Sequence, residues 1–188
     1  IFSRPDCSTL TGPVSGQTEC LDTTRGVWLN YDGTGWVRMD GFERTSTTNT
    51  SVGSRALDSV TTGLNNVAIG LNALTAVTTG SNSVAVGSGA LVSLISGSSQ
   101  NIAIGKDALA TITLGTSNIA IGHGALNALG DVSGQIAIGE QAMEHTTNPA
   151  TYNVAIGIQA LWDNTTGTEN VAIGPEAMNH SVTGSYNV

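Results

Sequence analysis

The chain has 188 residues, a net charge of −8 and only six Lys and Arg, a balance that excludes a phosphate-bound nucleic-acid partner, which needs basic patches. Aromatic residues make up 4% and charged residues 11%, against 24 glycines, which excludes an ordinary globular core. No apolar run approaches the length that crosses a bilayer, so membrane insertion is not expected.

Residues 1–44 read as a small N-terminal β-hairpin module. Cys7 and Cys20 are candidates for a disulfide, which would suit an extracellular setting; two free thiols is the other reading. A zinc site is not expected, because neither cysteine has a second Cys or His at finger spacing. Gly26-Val27-Trp28-Leu29-Asn30-Tyr31 has the β-branched and aromatic content of a strand, Asp32-Gly33-Thr34-Gly35 has turn chemistry, and Trp36-Val37-Arg38-Met39 returns. Trp28 and Trp36 are expected to anchor a small core. Residues 45–50 form a Ser/Thr-rich linker.

From 51 to 188 one phrase recurs. Its fullest copies are Asn66-Val67-Ala68-Ile69-Gly70, Asn101-Ile102-Ala103-Ile104-Gly105, Asn118-Ile119-Ala120-Ile121-Gly122, Asn153-Val154-Ala155-Ile156-Gly157 and Asn170-Val171-Ala172-Ile173-Gly174. The closing glycines stand at 53, 70, 87, 105, 122, 139, 157 and 174, a spacing of 17 or 18. Such a period predicts an all-β protein, a parallel β-solenoid (β-roll or β-helix) of stacked coils. Ile1 is not a start residue and Val188 falls inside a ninth phrase, so the chain reads as a piece of a longer one.

Three residues after each closing glycine stands Ala, and one further on Leu or Met. Seven after it the first five coils carry Val60, Val77, Leu94, Ile112 and Leu129, and ten after it six of eight coils carry another glycine. Strand alternation sends Val and Ile one way and the middle Ala the other. Val, Ile, the corner Leu and the seventh residue are expected to fill one narrow core and the Ala face to be closely covered, most simply by the same face of another chain; which of the two faces, Ala or Val/Ile, meets the axis of such an assembly is left open by the sequence. So few aliphatic side chains must order a whole coil that burial between subunits is expected, making the rod an obligate oligomer. Asn66, Asn101, Asn118, Asn153, Asn170 and Asn187 are expected to stack as a ladder of amides, with Gly70, Gly105, Gly122, Gly157 and Gly174 closing the turns.

No catalytic constellation is present. No Gly-x-Ser-x-Gly elbow leads into a helix, no Gly-rich stretch continues into Gly-Lys-Ser/Thr, and no Gly-Gly-x-Gly-x-Asp calcium turn occurs. No enzyme activity, cofactor or metal is assigned. His145 and His180, with Asp163 between them in the repeat, and His123 read as turn residues before metal ligands. Thr pairs recur (Thr61-Thr62, Thr78-Thr79, Thr165-Thr166), but they lapse at Ser96-Gly97 and Gly130-Asp131, which argues against an ice-binding ladder.

These phrases resemble two related groups: the β-roll heads of bacterial trimeric autotransporter adhesins and, more closely, the shafts of phage tail fibres, which carry Asn-x-Ala-Ile-Gly-x-x-Ala-Leu followed by Thr-Thr-Gly. Gly70-Leu71-Asn72-Ala73-Leu74 with Thr78-Thr79-Gly80, and Gly157-Ile158-Gln159-Ala160-Leu161 with Thr165-Thr166-Gly167, match both halves. The segment from Cys20 to Val37 also resembles a small β-module of phage fibres and surface appendages. The resemblance covers about three quarters of the chain. It implies a homotrimeric rod in a virion or on an extracellular surface, bound to neighbouring fibre or virion proteins and to a host receptor or glycan, with host attachment as its role. Such fibres often end in a cleavable folding chaperone, and no such segment is seen here.

In the final three coils the seventh residue becomes Thr146, Asn164 and Ser181, and bulky residues collect: Met143, His145, Pro149, Tyr152, Trp162, Met178, His180 and Tyr186. Trp162 and Tyr152 are the candidate contact residues, since aromatic side chains favour interfaces; filling a changed cross-section is the other reading.

Overall fold

A computed structural model describes residues 19–22, 27–31, 36–38, 42–43, 48–95, 97, 99–127, 130–147, 151–180 and 182–188, with side chains described from Thr48 onward. Two units separate, Ile1–Phe42 and Glu43–Val188.

In the first unit β1 (Glu19–Asp22), β2 (Val27–Tyr31) and β3 (Trp36–Arg38) form a three-stranded antiparallel sheet in that order. Cys20 lies opposite Leu29, and Tyr31 opposite Trp36. The residues of β2 suit a pleated surface. Cys7 and the turn at 32–35 lie outside the described residues, and so does the pairing of Cys7 with Cys20. A two-residue strand, β4 (Phe42–Glu43), follows at the boundary and lies at the edge of the second unit's sheet.

The second unit is a β-solenoid. Eight three-residue strands lie parallel in chain order: β5 (Thr50–Val52), β6 (Val67–Ile69), β7 (Val84–Val86), β8 (Ile102–Ile104), β9 (Ile119–Ile121), β10 (Ile136–Ile138), β11 (Val154–Ile156) and β12 (Val171–Ile173). Their register is constant, with Ala68, Ala85, Ala103, Ala120, Ala137, Ala155 and Ala172 opposite one another in turn. The corners bond between coils as the strands do. Gly70 N–H donates to Val52 C=O at 2.7 Å, Asn72 to Ser54 at 3.0 Å and Leu74 to Ala90 at 3.0 Å. Nearly every coil therefore satisfies its backbone through the coils on either side.

Left-handed backbone makes each coil short. The closing glycine is needed twice over: Gly70 has φ 133°, and a Cβ there would stand 2.5 Å from the carbonyl oxygen of Gly87. Two and four residues later the chain is left-handed again, at Asn72 (φ 57°) and Leu74 (φ 50°) for example. A Leu in that region costs about 1–2 kcal/mol. Leu57, Leu74, Leu91, Leu109, Leu126 and Leu161 are all fully buried, and full burial of such a side chain contributes about 1.5–3 kcal/mol, enough to hold the conformation.

The core corrects the sequence reading. Val and Ile of the strands do not fill it; the Ala does. Ala68, Ala85, Ala103, Ala120, Ala137 and Ala155 are fully buried against the corner Ala and Leu and the seventh residues Val77, Leu94 and Ile112. The Ala face is thus covered by its own coil and needs no second chain. The physical reason lies two residues upstream. Asn66 and Ala68 share a strand face, and the Asn amide must turn inward to reach its partners, so Ala turns inward with it. Val and Ile are left facing out.

In two of the last coils the seventh position is polar yet still internal. Asn164 is buried and closes on its own turn: its Nδ2 donates to Gly167 C=O at 3.0 Å, and Gly167 N–H donates to its Oδ1 at 2.9 Å. Thr146 is fully buried, and its Oγ1 has no hydrogen-bond partner among the described residues. Leu129 and Ser181 lie outside the described residues. An unsatisfied buried hydroxyl is costly, so Thr146→Val, which restores the residue type of position 77, should raise stability by about 1 kcal/mol in denaturant unfolding.

Candidate functional site

One continuous polar feature runs through the solenoid interior, the amide ladder. Each ladder Asn serves the next coil twice. Its Oδ1 accepts the backbone N–H of the next ladder residue: Asn49 from Asn66 at 2.8 Å, Asn101 from Asn118 at 3.0 Å, Asn153 from Asn170 at 2.9 Å. Its Nδ2 donates to the carbonyl 14 residues ahead, on Gly63, Gly80, Gly115, Val132, Gly167 and Gly184 from Asn49, Asn66, Asn101, Asn118, Asn153 and Asn170. Most of these bonds thus run from side chain to backbone, and direct amide–amide contacts such as Asn118 Nδ2 to Asn101 Oδ1 (3.1 Å) are additional.

Ser83 and Gln135 complete the row. Ser83 Oγ accepts from Asn101 N–H at 3.3 Å, and Gln135 Oε1 from Asn153 N–H at 2.9 Å. Their places follow a rule the sequence reading missed. Every Asn of the row from 49 to 170 stands 17 residues before the next ladder residue; Ser83 and Gln135 each stand 18 before it. The Asn amide spans one fixed offset, from i to the carbonyl at i+14. A coil with an extra residue breaks that offset, and there the Asn is replaced. The signal was present in the spacing.

Hydroxyls of the Thr row bond between coils. Thr61, Thr147 and Thr165 donate their Oγ1–H to carbonyls of the next coil, on Thr78, Thr165 and Val182. Where the pattern lapses at Gly130-Asp131, a carboxylate takes the carbonyl's place: Asp131 Oδ1 accepts from Thr113 N–H, Thr113 Oγ1–H and Leu114 N–H at 3.1, 2.7 and 2.6 Å. Burial pushes the Asp131 carboxyl up, but these bonds outweigh it and hold its pKa below the usual value.

The bulky residues of the last coils fall into two groups. Trp162 belongs to a corner network: its Nε1–H donates to Glu144 Oε2 at 2.9 Å, which also accepts from Gln141 Nε2 at 2.8 Å, and its ring centre lies 4.4 Å from that of His145. His145 Nδ1 lies 2.9 Å from Asp163 Oδ1, and His180 Nδ1 lies 3.1 Å from Asp163 Oδ2. One carboxylate is therefore held by imidazoles from the coils on both sides, and the hydrogen bonds from His145 and His180 lower its pKa. His123 stands 3.6 Å from Glu140. Among the described residues no group of three or more His, Cys, Asp and Glu is placed to hold a metal ion. Tyr152 is different. It is 66% exposed and stands in the turn before Asn153, away from this network in the repeat. Pro149 lies outside the described residues.

A repeating apolar feature also lies on the surface. Outward Val and Ile of β6 to β12 form two parallel rows, half-buried to exposed, reaching 39% exposure at Ile69 and Ile104 and 69% at Ile173. Leu71 and Ile158, both directly after closing glycines, are also exposed. No family model, curated protein or solved structure matches the chain.

Asn118→Ala would remove the bond that Gln135 N–H donates to its Oδ1 and the one its Nδ2 donates to the Val132 carbonyl, and should lower stability by about 2–4 kcal/mol. Ser83→Ala, which loses a single 3.3 Å bond, should cost clearly less in the same urea titration. Because the carboxyls of Asp131 and Asp163 are held below their ordinary pKa, their contribution is present above about pH 4 and is lost as pH falls through the folded-state values. The stability gap between the parent chain and the Asp131→Asn, Asp163→Asn double variant should accordingly narrow on acidification, as read from melting temperatures at pH 7 and pH 3.

Proposed function

We propose that the chain is a structural and adhesive fibre segment: a homotrimeric β-solenoid rod, the shaft of a phage tail fibre, preceded by a small β-hairpin module. The observation that carries this reading is the unpartnered double row of Val and Ile on a solenoid whose own core is already filled by Ala and Leu. A contiguous apolar stripe of this length on a soluble chain marks an interface. The same stripe on a second and a third copy supplies a matching cover, and repetition at constant register lets identical rods meet along their length. The strand face at the trimer axis is then the Val/Ile face.

The role is attachment and spacing, with no catalysis. The partners are neighbouring fibre or virion proteins and a receptor or glycan on the host surface, and the place is the virion or an extracellular surface; nucleic acid and membrane insertion have no part in it. The head of a bacterial trimeric adhesin, or another extracellular filament subunit, is the alternative. The outward stripe supports it equally, while the combined Ala-Leu and Thr-Thr-Gly phrases favour the fibre.

Sedimentation of the chain should give a single trimeric species. Ile104→Asp with Ile121→Asp places charges on the outward stripe without entering the coil, and should dissociate the assembly while keeping the β-rich circular dichroism spectrum. A parent chain that sediments as a folded monomer at micromolar concentration would overturn the trimer.

A further inference from the structure

One row of the solenoid is occupied by residues that its backbone disfavours and its packing does not reward. Directly before the ladder residues from Asn66 onward stand Asn65, Asn82, Gln100, Ser117, Gly134, Tyr152, Glu169 and Tyr186, and every one has left-handed backbone, with φ between 56° and 68°. Asn and Gly tolerate that conformation, whereas a Tyr there is a true outlier. Tyr152 (φ 57°) and Tyr186 (φ 60°) nevertheless occupy it while 66% and 75% exposed. The buried Leu corners offset the same conformation by burial; these tyrosines do not.

Gly134, one coil earlier in the same row, provides a bare seat. A Cβ there would stand 2.7 Å from Cδ1 and 2.8 Å from Cε1 of Tyr152, so the ring rests on backbone that only glycine leaves open. The rest of the row is polar and exposed, so the tyrosines are not an extension of the Val/Ile stripe and association of copies does not account for them.

We propose that Tyr152, Glu169 and Tyr186 form a binding site for an arginine side chain of a partner protein. The two tyrosines stand two coils apart, about 9.5 Å by sheet spacing, with Glu169 on the coil between. Half of that backbone spacing is within the roughly 6 Å over which a ring attracts a cation. Glu169 offers a carboxylate to which a guanidinium donates in parallel pairs, and a planar guanidinium also stacks on aromatic rings. The charge balance selects the sign of the ligand: beyond Lys106 and Asp107, whose side chains pair at 3.3 Å, the chain carries six Asp and Glu and no Lys or Arg. That field draws cations and repels acidic partners. The site lies within one chain and stands whether or not the rod is trimeric or adhesive.

The test is a titration of the whole chain with N-acetyl-arginine methylamide at low ionic strength, followed by NMR of the tyrosine ring resonances. Millimolar binding that weakens with added salt is expected. Tyr152→Asn, which introduces a residue this row already carries at 65 and 82, should weaken it about fivefold, the size of one exposed cation–π contact, with the fold intact by circular dichroism. Glu169→Gln should weaken it at least as much, and Trp162→Phe should leave it unchanged. Equal binding of the uncharged citrulline analogue would overturn the proposal. So would tighter binding of tetramethylammonium, which would mean a quaternary ammonium site, or Tyr152-dependent binding of maltose or N-acetylglucosamine in place of arginine.

Discussion

The inward turn of one amide decides most of this molecule. A ladder Asn reaches the next coil's backbone at two points, and it does so only from inside the coil. Strand alternation then fixes everything nearby. The residue two places on must also point inward, and the coil is so narrow there that only a small side chain, Ala or in the first coil Ser51, fits against the Ala-Leu corner. The flanking Val and Ile are turned out to where they need a cover. A buried polar row thus sets the apolar surface.

This explains what was legible in the sequence and what was not. The solenoid, its period, its strands and its ladder follow from spacing and alternation, which are local properties. Which face of Val-Ala-Ile points inward is not local. Hydrophobicity alone favours burying Val67 and Ile69 and leaving Ala68 outside, and the opposite holds because hydrogen-bond satisfaction of Asn66 outweighs a larger aliphatic area. The left-handed backbone of Leu74 and its counterparts was also illegible, since Leu carries no turn signature. At the candidate contacts, the aromatic residues were visible but their surroundings were not. Trp162 is satisfied by Glu144 and packed on His145, while Tyr152 is left open on Gly134, a difference set by residues one coil away.

The first and last coils differ in how they depart from the repeat. In the first, Ser51 stands where later coils have Ala, and it is still buried. In the last three, the departures are outward as well as inward: a Thr whose hydroxyl has no partner among the described residues, an Asn closed on its own turn, and a chain of side-chain bonds from Gln159 through Gln141 and Glu144 to Trp162. Regular coils need no such individual arrangements, because their bonds repeat. Residues that break the repeat without improving the core are where recognition can reside without disturbing the rod.

The amide's fixed reach has a further consequence, for length. Since each Asn serves the coil ahead of it at one offset, a coil gains or loses single residues only where its amide is exchanged for Ser or Gln, while a whole copy of 17 residues joins the row without strain. Each added copy advances the far end by one strand spacing, about 4.8 Å. The repeat count is therefore a measuring scale: duplication or loss of a copy in the gene moves the two ends of the solenoid apart or together in equal increments, and leaves every other coil as it was.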